Sequence, residues 1–112
     1  MGKIDIKAAT SLMQRKNMAL DNTQVIVDEK GDAKMYLFGN HIATYTHNNR
    51  LFVTNSGWNT RSTRSRLSHI PNVQASTSKK QPFINGIKWS GKWTELIIAG
   101  PILIMSELKH NP

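Results

Sequence analysis

Residues 56–72 read SGWNTRSTRSRLSHIPN and set Arg61, Arg64 and Arg66 among Thr60, Ser62 and Thr63, with no carboxylate in the stretch. Guanidinium forks and hydroxyls are hydrogen-bond donors, so the chemistry they could do is to hold an anion, above all a phosphate. Two further basic groups lie downstream, Lys79-Lys80 and the pair Lys88 and Lys92, the latter interleaved with Trp89 and Trp93. Alternating cations and aromatic rings suit a surface that pairs phosphates and stacks bases. The same residues also fit a plainer role. The arginines could be a solvated helix face, and Trp89 and Trp93 a cross-strand clamp.

Catalytic patterns are absent by comparison. His41, His47, His69 and His110 share no metal-ligand spacing, and Ser56-Gly57 lacks the Gly-x-Ser-x-Gly frame of a nucleophile elbow. Nuclease chemistry would need Asp28, Glu29, Asp32 or Glu95 to reach a basic block that has no carboxylate of its own. His47 could meet the acids of the N-terminal third in space. We expect no enzyme activity, no metal and no cofactor.

The net charge of +8 is unevenly placed. Residues 1–32 carry five acids and five bases, whereas residues 33–94 carry nine bases and no acid. About four acids would fall in that block if they were scattered in proportion, so the field is a feature that suits a polyanionic partner. There is no cysteine, which fits a reducing compartment. The N-terminus lacks the apolar core of a signal peptide, and the longest apolar run, residues 96–105, is about half a membrane span and is broken by Gly100-Pro101. A cytoplasmic protein without a membrane segment is expected.

These groups need elements to position them, and local signals supply a set. Residues 5–20 contain no Gly or Pro and put Ala8, Leu12 and Met13 on one face, which predicts a helix. Four short β-rich runs follow at 23–28, 34–38, 42–46 and 51–54, separated by Gly/Asn turns including Gly39-Asn40 and Asn48-Asn49. Such close spacing predicts an antiparallel meander. Thr60, Ser62 or Thr63 then caps a helix that runs to about residue 69, with Pro71 beyond it. Thr63, Leu67 and Ile70 share its inner face, Arg61, Arg64, Ser65 and Ser68 lie opposite, and Arg66 is at the flank. Arginines beside the positive end of a helix dipole are unfavourable unless an anion joins them, which makes this end a candidate phosphate cradle. Trp58 at its edge is read as packing into the strand-to-helix corner, with stacking on a ligand as the alternative. Runs 73–77 and 82–85 form a hairpin with Lys79-Lys80 at its tip, and Lys88-Trp89 and Lys92-Trp93 form another about Ser90-Gly91. The fold class is therefore α+β in one domain over residues 1–112: an N-terminal helix (1–22), a β-rich basic core (23–93) and an apolar tail (94–112).

Three stretches also resemble a group of small proteins encoded by bacteriophages and archaeal viruses. Leu37, Gly39, Asn40, Ile42 and Ala43 match a Leu-x-Gly-Asn-x-Ile-Ala pattern, and Gly57, Trp58, Thr60, Thr63, Arg66 and Leu67 match a Gly-Trp followed by a Thr-rich Arg-Leu segment. Gln81, Phe83, Asn85 and Gly86 carry the third stretch, and Ser62 and Ser68 depart from the pattern. The likeness covers residues 35–93 and implies a viral origin, in a host cytoplasm, without assigning an activity.

Two functional classes are consistent with the residues. One is DNA or RNA binding through phosphate contacts; the other is an effector that docks on an acidic host or viral protein, steered by the same charges. The tail adds an expectation of its own. Residues 96–99 and 102–105 are continuous apolar runs, which predicts strands covered on both faces, the second being an edge element or short helix after Pro101. Packing against a second copy, through residues 96–105, would make a homodimer.

Overall fold

Helix α1 (Lys3–Gln14) opens the chain, and its apolar positions explain where it lies. Asp5, Ala8, Ala9 and Leu12 are buried, an i, i+3, i+4, i+7 stripe that packs across the meander and against the second helix. The computed structural model describes residues 3–100, 102–110 and 112. The strands that follow are β1 (Met18–Leu20), β2 (Thr23–Val27), β3 (Ala33–Leu37), β4 (Asn40–Tyr45) and β5 (Leu51–Val53). Helix α2 (Arg61–Ser68) leads to β6 (Ala75–Ser78), β7 (Gln81–Ile84), β8 (Ile87–Lys88), β9 (Thr94–Ala99) and β10 (Ile102–Glu107).

The first helix is shorter than the sequence predicts, and β1 occupies part of its expected span. Arg15 adopts a positive φ of 53°, and its guanidinium reaches across to donate to the Thr46 carbonyl and stack over Tyr45, 4.3 Å from the ring centre. No Gly or Pro marks that stop. The meander therefore has five strands, and β9 and β10 extend it into one sheet of order β1-β2-β3-β4-β5-β9-β10, each neighbouring pair antiparallel. A second sheet of order β6-β7-β8 carries the other hairpins. The architecture is α+β.

Register decides which side chains go inward. Val25, Met35, Ala43 and Val53 are paired in turn across β2 to β5 and all lie in the core with Leu12, Leu67, Ile70 and Trp89. At the β3–β4 pair the register shifts, so Tyr36 faces His41 and Ile42 has no partner. This bulge turns Ile42 into the core and leaves His41 on the other face, stacked on Tyr36 at 5.1 Å and edge-on to Trp93 at 4.6 Å. Burial holds the His41 imidazole at a pKa of about 4, and nearby Lys34 pushes the same way. Since the folded value lies below the unfolded one, stability is full above about pH 6.5 and falls as pH drops towards 4. Urea denaturation should show a loss of roughly 1–2 kcal/mol between pH 7 and pH 5 that is absent in His41→Gln. An unchanged pH profile in the variant would refute this assignment.

The tail corrects an expectation. Strands β9 and β10 form a hairpin, with β10 at the sheet edge, but the apolar runs are not covered on both faces. Ile97 is half-exposed, and Ile102 and Ile104 are 60% and 51% exposed. The edge placement itself agrees with the sequence.

Candidate nucleic-acid interface

Thr60 is the N-cap of α2, its extended backbone (φ −105°, ψ 161°) letting the side chain accept from the Thr63 N–H. Thr63, Leu67 and Ile70 are buried on the inner face, as their spacing predicts. No acid sits in the first turn. Arg61 projects into solvent from it. Arg64 folds back one turn, and its Nη1 donates to the main-chain and side-chain oxygens of Asn59, both at 3.0 Å. Asn59 in turn donates through Nδ2 to Thr77 Oγ1 and to the Lys80 carbonyl. One asparagine thus fixes the cap of α2, Arg64 and the β6–β7 turn as neighbours. Thr63 is core and so no free phosphate donor, whereas Thr60 is exposed and uses its oxygen as the cap acceptor.

Arg66 is the main correction among the predicted site residues. It is only 6% exposed, and its Nη1 donates to Asp5 Oδ1, an acid 61 residues earlier. Its Nε donates to Thr23 Oγ1 at 2.9 Å and its Nη2 to Asn22 Oδ1 at 3.1 Å, while Ser65 Oγ holds the other Asp5 oxygen at 2.8 Å. Arg66 is a buried tie between α1, α2 and β2 and cannot reach a phosphate. Two more bases of the basic block are also engaged. Arg50 makes a two-pronged pair with Glu95 at 2.8 and 2.9 Å, which holds that carboxyl below its usual range, and Lys34 lies 3.5 Å from Asp28. Arg61, Arg64, Lys79, Lys80, Lys88 and Lys92 are left with no ion pair among the described residues.

The tip of the β6–β7 hairpin has a conformation its sequence disfavours. Ser78 pairs with Gln81, so Lys79-Lys80 is a two-residue turn, with φ of 50° and 67°. Positive φ at both positions is the type I′ pattern, which strongly prefers Asn-Gly. The next turn of the same sheet obeys that preference: Asn85-Gly86, with φ of 50° and 79°, joins β7 to β8. Two lysines therefore stand where the backbone favours other residues. Phe38 repeats the anomaly. It occupies the first position of the Phe38-Gly39 turn between β3 and β4, one residue earlier than predicted, at φ 51° and 70% exposed.

The three tryptophans divide differently from the sequence reading. Trp58 is 59% exposed rather than packed in the strand-to-helix corner. The turn before it, with Ser56 and Gly57 at positive φ and Trp58 N–H on the Asn55 carbonyl, holds it outward. Trp89 is buried, donating through Nε1 to Thr94 Oγ1, and so offers no stacking face, whereas Trp93 is half-buried, edge-on to His41. The predicted hairpin about Ser90-Gly91 does not form. Lys88 lies in β8 and pairs with Phe83, whereas Lys92 follows Gly91, whose carbonyl takes the Asn55 N–H and the Thr54 hydroxyl.

These elements enclose two clefts. One, of about 340 Å³, is lined by Leu37, Phe38, Ile42 and Trp58 with Asn40, Asn55 and the α2 cap around them. The other, of about 550 Å³, lies across the Asn55–Trp58 turn and carries Lys92, Lys109 and His110 on its walls. Asn55 belongs to both. Among the described residues no cluster of acids and histidines could hold a metal ion, and no helix is long and apolar enough to cross a membrane. His47 does meet an acid, with Nδ1 2.8 Å from Asp32 Oδ1, but the contact ties together two exposed turns.

The chain is a small α+β protein with six cations outside ion pairs among the described residues and two exposed aromatic rings, Phe38 and Trp58. The chain belongs to the Kyanoviridae Gp96 protein family, a family of cyanophage proteins, whose model matches residues 1–99. The match takes in α1 and β9 as well as the 35–93 region, and it makes the chain a phage protein. Comparison with curated proteins and with solved structures found no match.

Proposed function

We propose that this phage protein binds nucleic acid in the host cytoplasm, without catalysis, through phosphate contacts from Arg61, Arg64, Lys79 and Lys80, flanked by Lys88 and Lys92. The observation that carries the reading is the Lys79-Lys80 turn: two cations kept at backbone positions that favour Asn-Gly, tied by Asn59 to Arg64 of α2. Strained backbone of this kind clusters at functional sites, which is what makes two lysines in this turn support the reading.

Binding to labelled DNA and RNA of unrelated sequences should fall linearly in log–log form with salt, with a slope of up to about −5 on duplex if all six cations meet phosphates. Binding at low salt that shows no such slope would overturn the reading. Failure to bind any nucleic acid, with an acidic host protein retained after nuclease treatment, would instead support the effector role. A sharper test gives the turn its preferred Asn-Gly pair by combining Lys79→Asn with Lys80→Gly. Stability should rise by about 1 kcal/mol, because the I′ conformation is now favoured, while the duplex slope should shrink by ~2. A swap that stabilises the fold and leaves binding untouched would remove the turn from the interface.

The reading extends to a homodimer through β9 and β10. The open backbone edge of β10 beside exposed Ile102 and Ile104 supports pairing with a second copy, which would double the cationic surface. Light scattering should give a dimer for the parent and a folded monomer for Ile102→Lys with Ile104→Lys. A monomeric parent at micromolar concentration refutes it.

A further inference from the structure

We infer that the ligand is single-stranded, and that one unpaired base enters the cleft between Phe38 and Trp58. This rests on the nucleic-acid reading above and goes beyond its phosphate contacts.

Phe38 and Trp58 are the two most exposed aromatic side chains of the chain's described large hydrophobics, and they line the same cleft. Each is presented by a turn with positive φ at two successive residues, Phe38-Gly39 and Ser56-Gly57. Phe38 stands at the position where such a turn favours Asn, Asp or Gly, so its ring is retained there against the backbone's preference. An apolar cavity with two aromatic rings and a few polar groups suits a planar heteroaromatic ring. Its volume of about 340 Å³ is at the small end of the usual range of about 300–1,000 Å³ for ligand clefts. Polar groups that could meet a base edge are in place on the walls: the side chains of Asn40, Asn55 and Ser62.

The surrounding charge selects the occupant. The Trp58-Asn59-Thr60 segment that forms one wall continues into Arg61, and Asn59 fastens Arg64 and the Lys79-Lys80 turn beside it. A neutral apolar ligand would gain nothing from those cations. A base still attached to its phosphodiester chain uses both, the ring by stacking and the phosphates by charge. Paired bases are already stacked inside a duplex and leave the cleft unfilled.

The test compares a single-stranded oligonucleotide, its duplex and an abasic strand of equal length, as DNA and as RNA, by anisotropy and by quenching of tryptophan fluorescence. Expected is tighter binding and stronger quenching with the base-bearing single strand. Trp58→Ala and Phe38→Asn should each lower that affinity by roughly 10- to 100-fold while leaving duplex and abasic binding unchanged. Phe38→Asn should also raise the melting temperature, since Asn tolerates positive φ, which a merely structural Phe38 would not do while weakening a ligand. Equal affinity for all three polymers, unmoved by either substitution, overturns the base clamp and leaves the phosphate reading standing. No binding to any of them at low salt overturns both.

Discussion

Arg66→Ala is expected to cost about 3–5 kcal/mol, a large share of the roughly 5–15 kcal/mol that holds a domain of this size together. The cost follows from what the truncation leaves behind. Asp5 would remain in a site where it is 3% exposed, without the guanidinium that Arg66 supplies, and Thr23 and Asn22 would lose a donor. A buried charge stripped of its partner is penalised far more than an intact pair stabilises. Arg61→Ala, at the start of the same helix, removes an exposed side chain and should stay within about 0.5 kcal/mol. Urea melts of the two variants give the comparison, and equal melts would refute the structural role of Arg66. Replacing Asp5 and Arg66 together by leucine should recover much of the loss, because no charge is then stranded.

Neutralising Arg61, Arg64, Lys79 and Lys80 together, each to glutamine, should flatten the salt dependence of nucleic-acid binding with little effect on the fold. On single strands each phosphate contact contributes ~0.7 to the log–log slope, so four contacts amount to roughly three decades of affinity over a tenfold change in salt. The loss should be greatest at low salt and nearly vanish at high salt, where the parent is also released. Melting temperature should fall only modestly, since these four side chains make no ion pair among the described residues and the loss is confined to the Arg64 bonds to Asn59. A variant that binds like its parent at every salt concentration would remove the patch from function. Substituting Arg61, Arg64 and Arg66 together would give a misleading answer, because unfolding at Arg66 would be read as lost binding.

That contrast shows what could be read along the chain and what could not. The cap within Thr60–Thr63, the inward face Thr63-Leu67-Ile70 and most meander turns depend on neighbours within a few residues, and the sequence shows them, leaving only the choice of Thr60 as the cap to the structure. Asp5 and Arg66 are 61 residues apart, so the helical wheel that put Arg66 at the flank of α2 could not say that an acid was waiting there. The end of α1 was hidden for a similar reason. Arg15 adopts its left-handed backbone while its side chain is held by Thr46 and Asn49, a tertiary contact that no glycine advertises. Tryptophans posed the same problem, since Trp58 and Trp89 differ only in what the fold brings to them. The turns Phe38-Gly39 and Lys79-Lys80 were hidden as well: Phe38 continues the β-rich run 34–38 and four residues separate 73–77 from 82–85, so only the strand pairing makes each a two-residue turn.

Strand β5 has a consequence for how the chain comes off the ribosome. Its three residues, Leu51, Phe52 and Val53, are all buried, yet one of its two neighbours in the sheet is β9, which begins only at Thr94. At synthesis rates of about 5–20 residues per second, the nascent meander waits roughly 2–8 s with an apolar edge open before that neighbour emerges. Chains released early, by a stop codon anywhere between α2 and β9, would carry this edge permanently. They would pair with one another rather than dissolve. A fragment ending before β9 is therefore expected to sediment as aggregates on centrifugation, whereas the completed chain covers the same edge with β9.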